Sequence, residues 1–451
     1  MARFKKWCAG LIVAAVIGAT AVGLFYAEEL HRGKRAWENC RRELAANGVK
    51  LNWGDYLPGP VADDENVFGV PEMQQWFDGY DYGVMARLAP SKLPKAETLT
   101  PESATSFLQS NAKFDHDFEL VRQALQRPYS RIRGKYNRMD HPPAVSLGTM
   151  FALVRTLVMR AKCHILLNQS EAASGDIMLI DDMSRGLLER QKPVEMLTVW
   201  VDSLGERICT GLVRQGIRSN CWNQAQLGVL EDRLQTDNVL KVMSEACALE
   251  RAVVCCQNEP PTLARLAARN YYIDKDHIRE GDWNAFMARI LPGGWAYLGG
   301  AERIETDNTI LASIHAGDKT IDLKALKAAI EKFQGLSPHW APKAYVGWSG
   351  LGIDMVGQRA AYVQTQINQA TLACALERCR LAQGGYPATL DALAPRYIEK
   401  IPRDVIDGLP LHYQRSATNT FSLYSIGWNG HDDGGTRGSE EYPYTNGDWV
   451  W

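Results

Sequence analysis

None of the short motifs that spell out a reaction occurs in these 451 residues. There is no H-E-x-x-H pair to hold a zinc-bound water, no P-loop, no complete G-x-S-x-G nucleophile elbow and no dinucleotide glycine fingerprint led by a strand. The ten cysteines (Cys8, Cys40, Cys163, Cys209, Cys221, Cys247, Cys255, Cys256, Cys374 and Cys379) form no CxxC pair, which excludes a zinc ribbon and a thioredoxin-like redox motif. Most of them sit in apolar helical patterns, where a thiol behaves as a small buried hydrophobe. One or two pairs could be oxidised if the body lies outside the cytoplasm, and spacing does not say which. A surplus of one charge is also missing: 50 Lys and Arg stand against 52 Asp and Glu, and no dense basic run appears. The chain therefore carries no electrostatic signature for nucleic acid, and none is expected as a partner.

The near-matches to catalytic patterns are weak. Gly347-Trp-Ser349-Gly-Leu351 lacks the last glycine of an elbow, and no strand precedes it. Asp115-His116-Asp117 offers two metal-ligand types, but adjacent positions on a helix diverge by about 100° and rarely meet at one ion. Cys163-His164 and Cys255-Cys256 share that geometry. Glu245 and Glu250 read as the polar side of a helix, and Asp63-Asp64-Glu65-Asn66 as a solvated turn with a divalent ion as the alternative. Trp283, Trp295, Trp340 and Trp348 suit core packing, with a sugar or peptide groove as the alternative.

What is present is ordinary globular composition, 46% hydrophobic and 23% charged, in a chain long enough for two or three domains. It holds one long uncharged run, Trp7 to Ala27, preceded by Arg3, Lys5 and Lys6. About twenty residues at 1.5 Å rise match a hydrocarbon core near 30 Å, and the basic flank predicts that everything after Glu28 lies outside the cytoplasm. Ala19-Thr20-Ala21 offers a signal-peptide cleavage site as the alternative, but Val22 to Tyr26 continues the apolar run beyond it. The segment is read as an uncleaved anchor.

From Glu28 to Asn47 helix formers predict a stalk that stops at Gly48. Prolines 58, 60, 71, 90 and 94 then break any long element up to Lys95. From Pro101 to about Gln334 apolar residues recur at helical spacing. Leu147, Met150, Phe151, Val154, Leu157, Val158 and Leu166 predict one buried face, and Ile177, Ile180, Met183, Leu187 and Leu188 another. Asn168 and Glu171 fit a capping box that starts the second helix of an antiparallel hairpin. The pair resembles the units of tetratricopeptide solenoids, although no period near 34 residues is sustained. Further helices are predicted over Val194–Gln215, Gln224–Gln235, Val239–Cys256, Thr262–Tyr271, Trp283–Ile290 and Leu323–Phe333. Gly293 to Tyr297 and Gly335 to Gly352 read as aromatic-filled connections, and a long amphipathic helix over Ile353–Ala382 is predicted to end at Gly384-Gly385.

The last stretch carries the most specific pattern. The run LERCRLAQGGYP from Leu376 to Pro387 leads into IPRDVIDGLPLHY from Ile401 to Tyr413, FSLYSIG from Phe421 to Gly427 and WNGHDDGG from Trp428 to Gly435. Tyr386 and Leu390 are expected to fold back over the helix, and Pro387 to start a short helix through Leu393. Pro410–Arg415 and Thr420–Ile426 are expected to form a hairpin, turned at Asp407-Gly408 and Asn419. This order resembles the globular part of the major pseudopilin of bacterial type II secretion. It also resembles the end of membrane-anchored bacterial proteins that close with Asp-Trp-Val-Trp, as Asp448 to Trp451 does. The resemblance implies an α+β module whose acidic loop binds calcium through Asn429, Asp432, Asp433 and Asp448, with backbone carbonyls near Ser425 and His431 completing the shell. Gly430, Gly434 and Gly435 permit the sharp turns such a shell needs, and an Asx-rich turn that caps its own amides is the alternative. The chain departs from that family in lacking a Glu after Gly10 and in placing a long body between anchor and module.

These readings predict a mainly α protein with a transmembrane anchor (1–27), a stalk and proline-rich connection (28–100), a helical body of antiparallel hairpins (101–334), a linker (335–352) and a small pseudopilin-like α+β module (353–451). The expected role is non-catalytic, structural or interactive, in the envelope or secretion. The expected setting is the bacterial inner membrane, single-pass through residues 7–27, with the body periplasmic and protein partners in the envelope. An envelope hydrolase, or a ligand-binding protein with its site between helices, is the alternative.

Overall fold

The computed structural model describes residues 2–57, 59–77, 98–134, 136, 143, 145–190, 194–256, 292–335, 353–416, 420–439 and 444–451. The helices predicted at Thr262–Tyr271 and Trp283–Ile290, the 336–352 connection with its Gly347 motif, and Asn419 lie outside these residues. The protein is mainly helical, with small antiparallel sheets. It divides into two compact units, one of Met1–Asp55, Glu250–Leu311 and Lys327–Ile353, the other of Tyr56–Leu249, Ala312–Leu326 and Asp354–Trp451.

In the first unit, helix α1 (Ala2–Ala46) runs unbroken from the apolar segment into the predicted stalk. It ends where Gly48 takes φ +72°, a conformation that favours glycine. Its apolar part is exposed, whereas Glu29, Trp37 and Leu44 are buried. The stalk is therefore packed on one side. Its partner is the helix Gly293–Ser313, whose first turn was expected to be an aromatic connection. Two glycines in its opening turn lower helix propensity, yet they are what allows the helices to touch. A Cβ on Gly33 would lie 2.1 Å from the Gly294 carbonyl oxygen, and one on Gly294 would lie 1.9 Å from that of Glu29. Trp295 donates its indole N–H to Glu29 (2.7 Å), and Trp37, Leu44, Tyr297 and Ile304 form a shared core. Gly33→Val is expected to lower the stability of this packing by about 1–3 kcal/mol, read as a lower urea midpoint. Gly10→Val, where nothing lies within 4 Å, is expected to leave that midpoint unchanged.

The second unit is built on the predicted hairpin of Leu147–Leu166 and Ser170–Ser184, extended by Met196–Arg218, Gln224–Thr236 and Val239–Cys256. Met150, Val154, Leu157, Ile177, Ile180, Met183 and Leu187 are buried as predicted, but Leu166, in the last turn before the loop, is exposed. The capping box at Asn168 does not form. Asn168 instead takes φ +57° as a left-handed turn residue, Gln169 is the N-cap, and its side-chain oxygen pairs with His164 Nδ1 (2.7 Å). Within Asp63–Asn66, Asn66 is buried and bonds Phe68 and Arg131 backbone atoms, while the three acidic residues stay exposed.

The last long helix, Ile353–Gln383, is continuous, as its lack of proline predicts. It was expected to be amphipathic, but most of its length from Ala360 to Cys379 is buried, because it is embedded among other elements of its unit. Its buried amides act as staples: Gln364 accepts the Val239 N–H, Asn368 donates to the Arg403 carbonyl and Gln369 to that of Trp449. Beyond Gly384 (φ +80°) the chain folds back, and Tyr386, Leu390, Leu393 and Leu423 cover Leu372, Leu376 and Cys379. The short helix here is a single 3-10 turn, Leu390–Leu393, and does not begin at Pro387. The hairpin forms with Tyr413 opposite Leu423, and Trp449–Val450 adds a third strand beside Phe421–Ser425 that the sequence pattern had not suggested.

Candidate functional site

The sequence-derived residues Asn429, Asp432, Asp433 and Asp448 all fall in or beside the loop after the second hairpin strand. Each is engaged locally. Asp448 is buried and its two carboxylate oxygens accept the amides of Asp433 (3.2 Å) and Gly435 (2.6 Å). Asn429 donates to the Asp433 carboxylate (2.7 Å) and accepts the His431 amide. Asp432 points elsewhere, accepting the Gly434 amide and the Tyr424 hydroxyl and lying 3.5 Å from His412. The Gly434 amide holds its carboxyl below the usual range. Asn429 and Asp433 thus bond each other, Asp448 bonds the loop backbone, and Asp432 bonds Tyr424 and Gly434 instead of these three. This is the arrangement of amide-capping Asx turns, and a calcium shell that includes Asp432 would require its carboxylate to turn toward the others.

Beneath the loop, Asp404 is buried and accepts the Ser425 hydroxyl (2.8 Å) and the amides of Ile406 and Ile426. Burial pushes its carboxyl up to about 6, against the pull of the Ile406 amide and the Ser425 hydroxyl. Beside the loop, Arg214, Tyr362, Arg437, Ser439, Asp448 and Trp449 line a cleft of about 330 Å³. Arg214 is pushed down to about 10 by burial and by Arg437, and its guanidinium lies 4.3 Å from the centre of the Trp451 ring.

Among the other sequence candidates, Asp115 and Cys163 are held in pairing and packing contacts. Asp115 pairs with Arg160 (2.5 Å) while His116 is exposed. Cys163 is buried in an apolar cluster with Phe107 and Met159, and burial pushes its thiol up to about 11. The described cysteines form no disulfide among themselves.

A different group converges. Asp181 near the end of Ser170–Ser184, Glu206 inside Met196–Arg218 and Asp237 just after Gln224–Thr236 offer carboxylate oxygens that all lie within 4.8 Å of one another. They are 3%, 1% and 2% exposed. The helices can approach because Gly205, next to Glu206, has no side chain: a Cβ there would sit 2.1 Å from Ser184 Oγ. Arg233 binds Asp181 and Asp182, and Arg185 binds Asp237 and lies 3.8 Å from Asp181. Among the described residues no cation pairs with Glu206, and burial, followed by Asp237, Asp181 and Asp202, pushes its carboxyl well above the usual range. Asp237 is pushed up to about 7, chiefly by burial and then by Asp181.

Sequence reasoning missed this group. The signal was present in the period: Asp181 lies four residues after Ile177, and Glu206 shares the 3- and 4-residue spacing of the buried Val199, Ser203, Cys209 and Val213. Acidic residues on an apolar stripe mark buried polar sites. Comparison of the chain with known protein families, curated proteins and solved structures gave no match.

Proposed function

We propose that this chain is a single-pass, membrane-anchored bacterial protein whose body and C-terminal module lie in the periplasm and act non-catalytically, as a structural or contact element of the envelope or of secretion. The observation that carries this reading is the first helix. Among the described residues it is the one helix long and apolar enough to cross a membrane, with a mean hydropathy of 2.3 over its best window and none of that window buried in protein. An exposed apolar helix of that length is stable in lipid and costly in water. Its continuation packs through Gly33 and Trp37 against the helix Gly293–Ser313 of the same unit.

The test is fractionation of cells that express the full chain. It is expected in the membrane after alkaline carbonate extraction, with the body digested by protease added to spheroplasts. A body that stays protected in intact spheroplasts overturns the orientation, and release by carbonate overturns the anchor. Calcium at Asn429, Asp432, Asp433 and Asp448 is proposed on the pseudopilin resemblance and on three oxygen-bearing side chains in one loop with Asp448 bonded to its backbone. It predicts that millimolar calcium slows proteolytic cleavage within the 428–435 loop in the wild type and not in Asp432→Ala. An unchanged rate of loop cleavage in the wild type withdraws it.

The cleft at Arg214 supports the ligand-binding alternative, since its lining supplies two guanidiniums and aromatic surface, and its one carboxylate, Asp448, is occupied by the amides of Asp433 and Gly435. Its ligand class is a small organic acid, and titration calorimetry with dicarboxylates, lost in Arg214→Gln, is the check.

A further inference from the structure

We propose that Asp181, Glu206 and Asp237 form a buried site for a divalent cation of the hard, oxygen-seeking type, such as magnesium, manganese or calcium, separate from the C-terminal loop. Three observations carry it. The first is convergence: three helical segments deliver carboxylate oxygens within 4.8 Å of one another, the span that ligands on opposite sides of such an ion produce at bond lengths of about 2.0–2.6 Å.

The second is the way the neighbouring cations are used. Asp181 gives Oδ2 to Arg233, and Asp237 gives Oδ1 to Arg185. The other oxygens, Asp181 Oδ1 and Asp237 Oδ2, are buried without a hydrogen-bond partner, and so is Glu206 Oε2. Each arginine orients its aspartate and leaves one oxygen unmatched. An unmatched buried carboxylate oxygen is expensive, and three of them together are more so.

The third is charge. Lys319, the next nearby cation, uses its ammonium on the Gln235 carbonyl (2.6 Å) instead of on the triad. Asp182 and Asp202 add negative charge around the group, and Lys319 acts on Glu206 and Asp237 only through its field, so among the described residues no cation forms an ion pair with Glu206. All three ligand atoms are oxygen, and the nearest thiol, Cys209, donates to the Ile177 carbonyl (3.8 Å). That donor set suits a hard cation and disfavours zinc or copper. Shared protons on the three carboxyls are the competing arrangement.

The test uses the full chain in detergent, stripped with EDTA and dialysed at pH 7.5. Adding magnesium or manganese, which leaves the proposed calcium loop out of the measurement, at about a hundred times the dissociation constant is expected to raise the melting temperature by about 5 °C with one ion bound per chain. Glu206→Gln keeps the shape of the side chain and is expected to lose both the bound ion and the shift. Asp432→Ala, in the C-terminal loop, is expected to keep both, which separates this site from the calcium proposal. A stripped wild type that binds neither ion overturns the site. So does a Glu206→Gln chain that retains the bound ion. A Glu206→Gln chain that melts higher than a cation-indifferent wild type establishes shared protons instead.

Discussion

Asp404→Ala is expected to loosen the C-terminal module, with a loss of about 3–9 kcal/mol at neutral pH, because three donors lose their acceptor at once and each buried orphan costs about 1–3 kcal/mol. Those donors are the Ser425 hydroxyl and the amides of Ile406 and Ile426, so one carboxylate ties the Ile401–Pro410 segment to the end of the second hairpin strand. Chemical denaturation followed by tryptophan fluorescence measures the loss, since Trp449 is buried in the adjacent strand. Asp404→Asn is expected to fall between, because an amide still accepts at one oxygen but turns a donor toward Ile426. The pH dependence carries a sign. Burial lifts the folded carboxyl to about 6 from 3.8, so the folded chain holds this proton more tightly than the unfolded one. The stability from this group is therefore fully present below about pH 4 and declines as pH rises to about 6, a change of roughly 3 kcal/mol. Alanine removes that slope, and the gap between wild type and Asp404→Ala should widen on acidification from pH 6 to pH 4. A gap that narrows contradicts the assignment.

Asp307→Ala is expected to be about as damaging in the other unit, at about 3–5 kcal/mol, because it leaves the Arg303 charge buried without its carboxylate. Both residues are 2% exposed, and Arg303 Nε donates to both Asp307 oxygens at 2.9 and 3.0 Å. Burial pushes the Asp307 carboxyl up and Arg303 pulls it back, so the pair is a balance of desolvation against attraction. A buried pair of that kind adds little net stability but is costly to break by halves. The double variant Arg303→Met with Asp307→Leu is therefore expected to recover most of what Asp307→Ala loses, measured as urea midpoints. Failure to recover would mean that the pair also holds neighbouring groups that no apolar substitute can satisfy.

Much of the architecture could be read without coordinates where one physical signal dominated. The apolar run from Trp7, the hairpin around Asn168-Gln169, the Val239–Cys256 helix and the pairing of Tyr413 with Leu423 follow from hydrophobic period, glycine punctuation and strand alternation. The misreadings have physical causes as well. Gly293-Gly294 looks like a breaker because local propensity disfavours glycine in a helix, whereas close contact with Gly33 repays the loss. Gln364, Asn368 and Gln369 look like the solvent side of the last helix, and each instead satisfies a backbone group elsewhere in the unit. The candidate sites divide the same way. The acidic loop is contiguous and therefore visible, while Asp181, Glu206 and Asp237 are scattered along three segments.

The sequence alone determined that the chain is mainly helical, which segment is apolar enough for a membrane and that the terminal strands pair as a hairpin, since these depend on residues a few positions apart. Tertiary structure decided which acidic side chains are buried and which of them meet. That choice depends on helix crossings set by single small residues, Gly205 against Ser184 and Gly33 against Gly294, whose effect appears only when distant parts of the chain are brought together.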